Sequence, residues 1–355
     1  MRRSARIILH PQALQHNLQQ VRMVAPNTKI LAVIKANAYG HGMLEVATIL
    51  DRADGYAVAC IPEGIELRAA VKQAPILILQ GHQHLAALKT ACEYQLRVVI
   101  HDRSQLIYLD SLGSHNVQVA LKIDTGMHRL GILPEDTPAI YHKLKAHPNV
   151  HSDIWLMTHL ACADEMNNPA TTQQLQCFIQ ATDKIEAPTS IPNSAGILGW
   201  QTTHSDWVRP GIMLYGASPF SFKEQGSDKY NLQAAMTLTA PLIAIYKLKQ
   251  GDPIGYGASY HCPQNMVVGI VACGYADGYP RHAGTGAPVN INGRETHTLG
   301  RISMDTLIIN LNNIVARVGD LVELWGQNIK VDRVAHHAET ISYELLCNAG
   351  NNCMR

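Results

Sequence analysis

The hydrophobic pattern changes character once along the chain. From Pro11 to Ala25, the apolar residues Leu14, Leu18, Val21 and Val24 recur at helical spacing behind a proline suited to a first turn, which predicts an amphipathic helix. Short apolar runs then alternate with polar or helical segments. Eight of these runs read as strands: 29–36 (KILAVIKA), 55–60 (GYAVAC), 75–80 (PILILQ), 96–101 (LRVVIH), 117–123 (VQVALKI), 153–159 (DIWLMTH), 189–193 (TSIPN) and 207–215 (WVRPGIMLY). The segment HGMLEVATILDR after the first strand reads as a helix. Eight strands alternating with helices predict an α/β fold, a parallel (β/α)8 TIM barrel. Pro192 removes a ladder donor, so the seventh run fits a strand only where that strand ends.

After about Gly216 the texture differs, with Val, Ile, Thr and Tyr runs broken by glycines and by Asp or Asn turns. Long helical periodicity disappears. The runs MVVGIVACGY, APVNING, THTLGRI, DTLIINL and DLVELWG predict strands, and Asn292-Gly293 is a hairpin signal. The expected organisation is therefore a barrel over residues 10–225 and a mostly β C-terminal domain over 226–355, with residues 1–9 packing on the latter. The chain shows no internal repeat, low-complexity tract or charged tail.

Composition narrows the partners. In 355 residues the hydrophobic fraction is 46%, the charged fraction 16% and the net charge +1, so no basic field exists to attract nucleic acid. The eight cysteines include no C-x-x-C pair, which removes a zinc knuckle or redox dithiol from consideration and predicts reduced thiols, mostly in the core. The N-terminal MRRSARIILHPQ is no signal peptide, and no apolar run approaches the roughly 18 residues of a membrane span. A cytoplasmic protein without a membrane partner is expected.

The candidate chemistry begins in ILAVIKANAYGHG, where an apolar strand delivers Lys35 to a turn containing Asn37, Tyr39 and two glycines. Burial among aliphatic neighbours disfavours an ammonium and yields a nucleophilic amine able to form an imine with an aldehyde. The alternative is a lysine that snorkels its charge out of a strand end. Barrel enzymes work at the C-terminal ends of their strands, and polar residues recur there. Lys122, Asp124 and Arg129 lie in KIDTGMHRLG, His159 ends strand six, Asn193 and Ser194 end strand seven, and Arg209 and Gly211 lie in strand eight. Loops after strands seven and eight commonly bind phosphate, for which Ser194 and the backbone N–H groups of Gly211 and Ile212 are suitable donors. An imine-forming lysine beside a phosphate cradle suggests pyridoxal 5′-phosphate (PLP).

These motifs carry a resemblance along essentially the whole chain. AVIKANAYGHG, KIDTGMHRLG, NSAG, WVRPGIMLYG, GYG at 255–257, GYADG at 274–278 and GRISMD at 300–305 occur in the order seen in alanine racemases. The resemblance implies a PLP-dependent isomerase interconverting L- and D-alanine, for peptidoglycan synthesis or alanine catabolism, and working as a homodimer with shared active sites. By the same resemblance Lys35 holds PLP and is the base for D-alanine, while Tyr256 of the partner subunit is the base for L-alanine. Arg129 contacts the substrate carboxylate, with Met304 offering a backbone donor across the subunit interface, and Arg209 faces the pyridine nitrogen. Tyr39, Ser194, Gly211, Ile212 and Tyr343 match the phosphate set, and His159 packs near the cofactor ring. Asp164, Tyr275, Arg301 and Tyr343 match the access corridor, and Lys122 matches a lysine often carbamylated in this family. Where certain racemases carry a histidine supporting the pyridine-facing arginine, this chain has Ser190.

Three other readings stay open at this level. The chain resembles, less completely, other barrel-plus-β PLP enzymes, namely an amino-acid decarboxylase or a racemase of broad specificity. PLP-binding homeostasis proteins share the barrel and lysine alone, and a catalytically inactive regulator would keep the fold without turnover.

Overall fold

The apolar runs become the staves of a closed barrel. The computed structural model describes residues 4–221 and 226–353. It divides into two compact units, Leu18–Ala38 with Met43–Met213, and Met1–Asn17 with Tyr39–Gly42 and Leu214–Arg355. The expected domain boundary falls against residues 222–225, outside the described residues, as do residues 1–3 of the expected packing segment.

Strand β1 (Arg6–Leu9) and helix α1 (Pro11–Val24) open the chain. The barrel strands follow: β2 (Lys29–Val33), β3 (Gly55–Val58), β4 (Ile76–Ile78), β5 (Arg97–Ile100), β6 (Gln118–Lys122), β7 (Trp155–Met157), β8 (Thr189–Ser190) and β9 (Trp207–Val208). They pair in parallel in that order, and Lys29 opposite Trp207 closes the ring from β9 to β2. Helices α2 (Met43–Ile49), α3 (Ile61–Ala70), α4 (Leu85–Glu93), α5 (Thr137–Ala146), α6 (Ala170–Thr182) and α7 (Ser194–Gly199) form most of the crossovers. A 3₁₀ segment at Arg103–Ser111 spans the gap from β5 to β6, capped by Asp102 and Gln105.

The strands are shorter than the apolar runs that predict them. The run 207–215 keeps only two ladder residues, because Pro210 has no N–H to donate and Ile212–Tyr215 winds into a 3₁₀ turn. The run containing Pro192 likewise keeps only Thr189–Ser190. Leu31, Val58, Leu77, Val98, Leu121, Leu156 and Val208 are buried along the staves, and each such side chain stabilises the unit by about 1.5–3 kcal/mol relative to an exposed one.

The strand-start end of the barrel is floored by paired charges and aromatic faces. Arg97, 4% exposed, stacks 4.0 Å above the Trp155 ring and bonds Asp153 at 2.7 Å. Trp155 stacks on Trp207 at 4.4 Å, and Lys29 Nζ lies 5.3 Å from the Trp207 ring.

In the second unit, β10 (Met236–Leu248) is the central strand. Strands β11 (Pro253–Ile254) and β12 (Tyr260–His261) form a small hairpin, and β13 (Met266–Val271), β14 (Pro288–Ile291), β15 (Arg294–Leu299), β16 (Leu307–Asn310) and β17 (Leu321–Trp325) complete the strands. The larger sheet runs β1-β10-β13-β16-β15-β14-β17, with a further β10–β17 pairing. Strand β10 pairs antiparallel with three neighbours, β1 and β17 along its first half and β13 along its second. Asn292 and Gly293 both take positive φ (51° and 74°), the geometry of the hairpin turn that the pair predicts between β14 and β15.

Two expectations change here. Helical periodicity does not disappear, because α8 (Val331–His337) and α9 (Ser342–Asn352) end this unit. Nor are the cysteines mostly core. Only Cys262 and Cys273 are buried; the other six are half-buried, and none of the eight is in a disulfide.

Candidate active site

Four consecutive non-glycine residues with left-handed backbone follow the lysine. Residues 36–39 have φ of 52°, 53°, 54° and 51°. Each costs an L-residue about 1–2 kcal/mol, so the conformation persists only where surrounding contacts over-determine it. Lys35 therefore lies two residues beyond the β2 ladder rather than inside it. The backbone there is pinned on several sides. Ile34 N–H donates to Ala57 O at 2.9 Å and Ala38 N–H to Ile34 O at 2.8 Å. Asn37 Oδ1 accepts from Met43 N–H at 2.9 Å. The Glu63 carboxylate accepts from Ala36 N–H at 2.9 Å and from Ala59 N–H at 2.7 Å.

Cationic groups gather at the C-terminal ends of the same strands. Lys122 ends β6, is 6% exposed, and has its pKa pushed down to about 8 by burial and then by Arg129, Arg209 and Lys35, with Asp124 opposing. Burial also drives His159 well below its usual range, with Arg209, Arg129, Lys122 and Lys35 adding to the effect, so its imidazole is neutral. Asp124 shapes the loop carrying Arg129: one carboxylate oxygen accepts from the N–H groups of Gly126, Met127 and His128 at 3.0–3.1 Å. A hollow of about 840 Å³ opens beside Arg129, with Gln80, His101, Asp102, Tyr108 and Asp124 also on its wall.

Arg209 is buried, and desolvation lowers its pKa to about 10, so it stays cationic at neutral pH. Its guanidinium donates to Ser190 Oγ at 2.6 Å, Thr158 O at 2.5 Å and Ile191 O at 3.1 Å. Ser190 Oγ in turn donates to Trp207 O at 3.0 Å. Ser190 thus supports Arg209 directly, from the position that holds a histidine in certain racemases. Behind this pair runs a buried polar chain absent from the sequence-level list. Thr158 Oγ1 bonds Thr125 Oγ1 at 2.8 Å, and Gln174 spans Thr125 Oγ1, His159 O and Ala161 N–H at 3.1, 3.0 and 2.8 Å. Gln174 holds the backbone on both sides of Leu160, directly after His159. Nothing in the motif spacing marks it, since α6 presents it as one glutamine among several.

The phosphate-set residues of the barrel meet one another. Ser194 Oγ accepts from Gly211 N–H at 2.9 Å, which brings the hydroxyl and this backbone N–H together beyond β8 and β9. Asn193 is the N-cap of α7, accepting from Gly196 N–H at 3.0 Å.

In the other unit, Tyr39 is buried with its ring 4.7 Å from Tyr215 and 5.9 Å from Tyr343. Burial, with Tyr343 and Cys347 contributing, raises its pKa far above the usual phenol range, so the hydroxyl is a neutral donor. Gly40 follows at φ 83°, where an added Cβ would collide with Leu346 O and the Gly350 backbone. Tyr256 projects from the turn between β11 and β12, 70% exposed, between Gly255 and Gly257 at φ 68° and 71°. The Arg301 guanidinium sits over Gly257, 3.1 Å from where a Cβ would be. Tyr275 and Met304 lie on neighbouring turns tied by Tyr275 N–H to Ser303 O and Ala276 N–H to Met304 O, and both side chains are exposed. Asp164, on the barrel unit, is exposed.

The donor set suits an anionic, aldehyde-bearing cofactor and an anionic substrate. Half-buried Lys35 supplies the amine, buried Arg209 and exposed Arg129 supply positive charge, and a hydroxyl with backbone N–H groups supplies neutral donors. Among the described residues no group of three or more His, Cys, Asp or Glu side chains is placed to hold a metal ion, and no helix is long and apolar enough to cross a membrane.

Comparison with known proteins agrees with this chemistry. The family models described as alanine racemase N-terminal domain and C-terminal domain match residues 9–219 and 235–355. The chain is 46% identical to the catabolic alanine racemase of Pseudomonas putida, covering 98% of this chain and 97% of that one. It is 44% identical to alanine racemase of Shewanella piezotolerans, with 94% of each covered. Among solved structures, the biosynthetic alanine racemase of Pseudomonas aeruginosa superposes with a TM-score of 0.95 at 41% identity, covering 100% of this chain and 99% of that one. Alanine racemase of Bartonella henselae, solved with covalently bound pyridoxal phosphate, superposes with a TM-score of 0.89 at 26% identity and 99% coverage of both. The chain belongs to the alanine racemase family, isomerases that interconvert L-alanine and D-alanine.

Proposed function

We propose that this racemase works with PLP attached to Lys35 and with two bases, Lys35 for D-alanine and Tyr256 of the partner subunit for L-alanine. The observation that carries the reading is the concentration of Lys35, Lys122, Arg129, Arg209 and neutral His159 at one end of the barrel. Bound PLP supplies an electron sink for the α-carbon of the amino acid joined to it. Arg209 would face the pyridine nitrogen of the bound cofactor and, staying cationic, would donate a hydrogen bond there without giving up its proton, so that the sink would be a weak one. Ser194, Gly211 and Ile212, with Tyr39 and Tyr343, serve the phosphate. His159 packs beside the ring as a neutral imidazole.

Arg129, whose planar fork suits a carboxylate, takes that group of the substrate, and the backbone N–H of Met304 of the partner subunit adds a donor. Lys122 beside Arg129 is a like-charge pair, and its pKa near 8 leaves neutral amine available to add carbon dioxide. We assign Lys122 a carbamate that orients Arg129. Asp164, Tyr275 and Arg301 form the access corridor. The reversible reaction serves D-alanine supply or alanine catabolism equally.

Removing a proton from one face of the α-carbon and returning one to the other needs bases on both faces. The high exposure of Tyr256 in the single chain favours a homodimer in which each copy lends its tyrosine to the other. Mixing Lys35→Ala with Tyr256→Ala protein tests this. Random pairing places about half of the chains in heterodimers, each with one complete site and one empty of both bases, so recovery should approach about a quarter of wild-type activity. No recovery once subunit exchange is demonstrated would place both bases on one chain.

A further inference from the structure

Glu63 stands where a helix-capping glutamate belongs but does something else. Helix α3 begins at Ile61 after the N-cap Cys60, which places Glu63 at the third helical position. A capping glutamate there returns to the N–H of the N-cap residue itself. Glu63 reaches one residue farther, to Ala59, and uses its other oxygen to hold Ala36, the residue that follows Lys35 and starts the left-handed turn. The two N–H groups belong to the loops leaving neighbouring strands β2 and β3, which already run side by side through Leu31–Gly55, Ala32–Tyr56 and Val33–Ala57.

We propose that Glu63 is a positioning residue for Lys35: its carboxylate clamps the two loops together and holds the left-handed turn that aims the lysine. The clamp needs a carboxylate, because both oxygens accept at once. An amide in its place offers one acceptor and one NH2 group, which meets either Ala36 N–H or Ala59 N–H donor to donor. Residues 36–39 include no glycine, so each favours another backbone region as soon as a restraint is lost. Ala36 is where the chain enters the turn. Its N–H bond fixes the peptide linking Lys35 to Ala36, and thereby the direction in which the lysine leaves the backbone. Two further barrel restraints act later, at Asn37 through Met43 and at Ala38 through Ile34.

The proposal rests on Lys35 being the reacting amine, and the test separates the two. Glu63→Gln is made with PLP-loaded protein and read by kinetics, by the visible absorbance of the attached cofactor, and by amide hydrogen exchange before and after the cofactor is stripped. Exchange at Ala36 should quicken roughly tenfold or more in both forms, as for any amide stripped of its acceptor. The kcat should fall by about tenfold to a hundredfold with KM changed much less, since a misplaced reacting group slows chemistry more than binding. Ala36→Gly in the Glu63→Gln background should restore kcat to within about threefold of the native value, because glycine enters positive φ without the side-chain penalty. If Glu63→Gln fails to fold, Glu63→Asp is read in the same way; it keeps the charge but is too short to span both N–H groups.

Unchanged exchange at Ala36 with unchanged kcat overturns the proposal. A uniform rise in exchange across the whole barrel, with no rescue by Ala36→Gly, also overturns it and makes Glu63 a general stabiliser. If the native protein fails to take up PLP at Lys35, the proposed cofactor reading falls, while exchange at Ala36 still reports on the clamp.

Discussion

The two ends of the barrel treat positive charge in opposite ways. Where the strands begin, Arg97 is buried but matched: Asp153 lies 2.7 Å away, Val119 O and Asp153 O accept from the same guanidinium at 2.9 and 2.6 Å, and the Trp155 face covers it. Where the strands end, Lys35, Lys122, Arg129 and Arg209 act on one another, and the nearby Asp124 spends one oxygen on three backbone N–H groups. A protein that can neutralise a buried arginine at one end has the means to do so at the other. The positive charge at the strand ends thus gathers where the proposed cofactor and substrate carboxylate would bind, and the two ends should respond differently to mutation.

The largest effect is expected at the charged end. Lys35→Ala should lower racemisation by more than about a thousandfold and abolish the visible absorbance of attached cofactor, because attachment and one proton transfer use the same nitrogen. The thermal midpoint of the cofactor-free protein should barely move. A coloured, active variant would dissolve the contrast between the ends. At the matched end the expectation inverts: Arg97→Met should cost about 2–4 kcal/mol in denaturant unfolding, since it strands the Val119 and Asp153 acceptors, and leave kcat within about twofold. A large kcat loss at full stability would mean that the floor reaches the chemistry.

The smallest effect sharpens the comparison through pH. Lys122 has a folded pKa of about 8 against an ordinary 10.5. Between these values the unfolded chain binds the extra proton, so stability should rise with pH across that window, and the penalty of the ammonium is fully present below it. In buffer free of carbon dioxide, Lys122→Met should remove that rise. With labelled carbon dioxide supplied, NMR should show a carbamate carbon on the native protein and none on the variant. A rise of equal size in both proteins would place the titrating group elsewhere.

What could be read from the sequence follows physical rules. The barrel staves were legible because a strand covered on both faces is apolar throughout, and Lys35, Lys122, His159, Ser194 and Arg209 stand out as candidates because they are polar residues placed where such runs stop. Strand β10 was not, since Pro241 interrupts it; the strand tolerates the proline between two register shifts, after Leu238 and after Leu242. Helices α8 and α9 were hidden by brevity and by histidines and asparagines that blur the apolar period. The left-handed turn was invisible, because its residues carry no glycine until Gly40. Glu63 and Gln174 were invisible for another reason: their partners, 27 and 49 residues away at the farthest, are set by the fold and leave no local spacing.

Strand β1 carries a consequence for how the molecule is made. Its residues pair with β10 in the register Arg6 to Thr239 and Leu9 to Met236, and His10 N–H donates to Ala235 O. A ribosome delivers β1 first and its partner more than two hundred residues later. At about 5–20 residues per second the wait lasts on the order of ten seconds or more. Through that interval the strand's pairing edge waits unfilled, which makes the tens of seconds of synthesis, not the finished state, the period in which a chaperone has most to do.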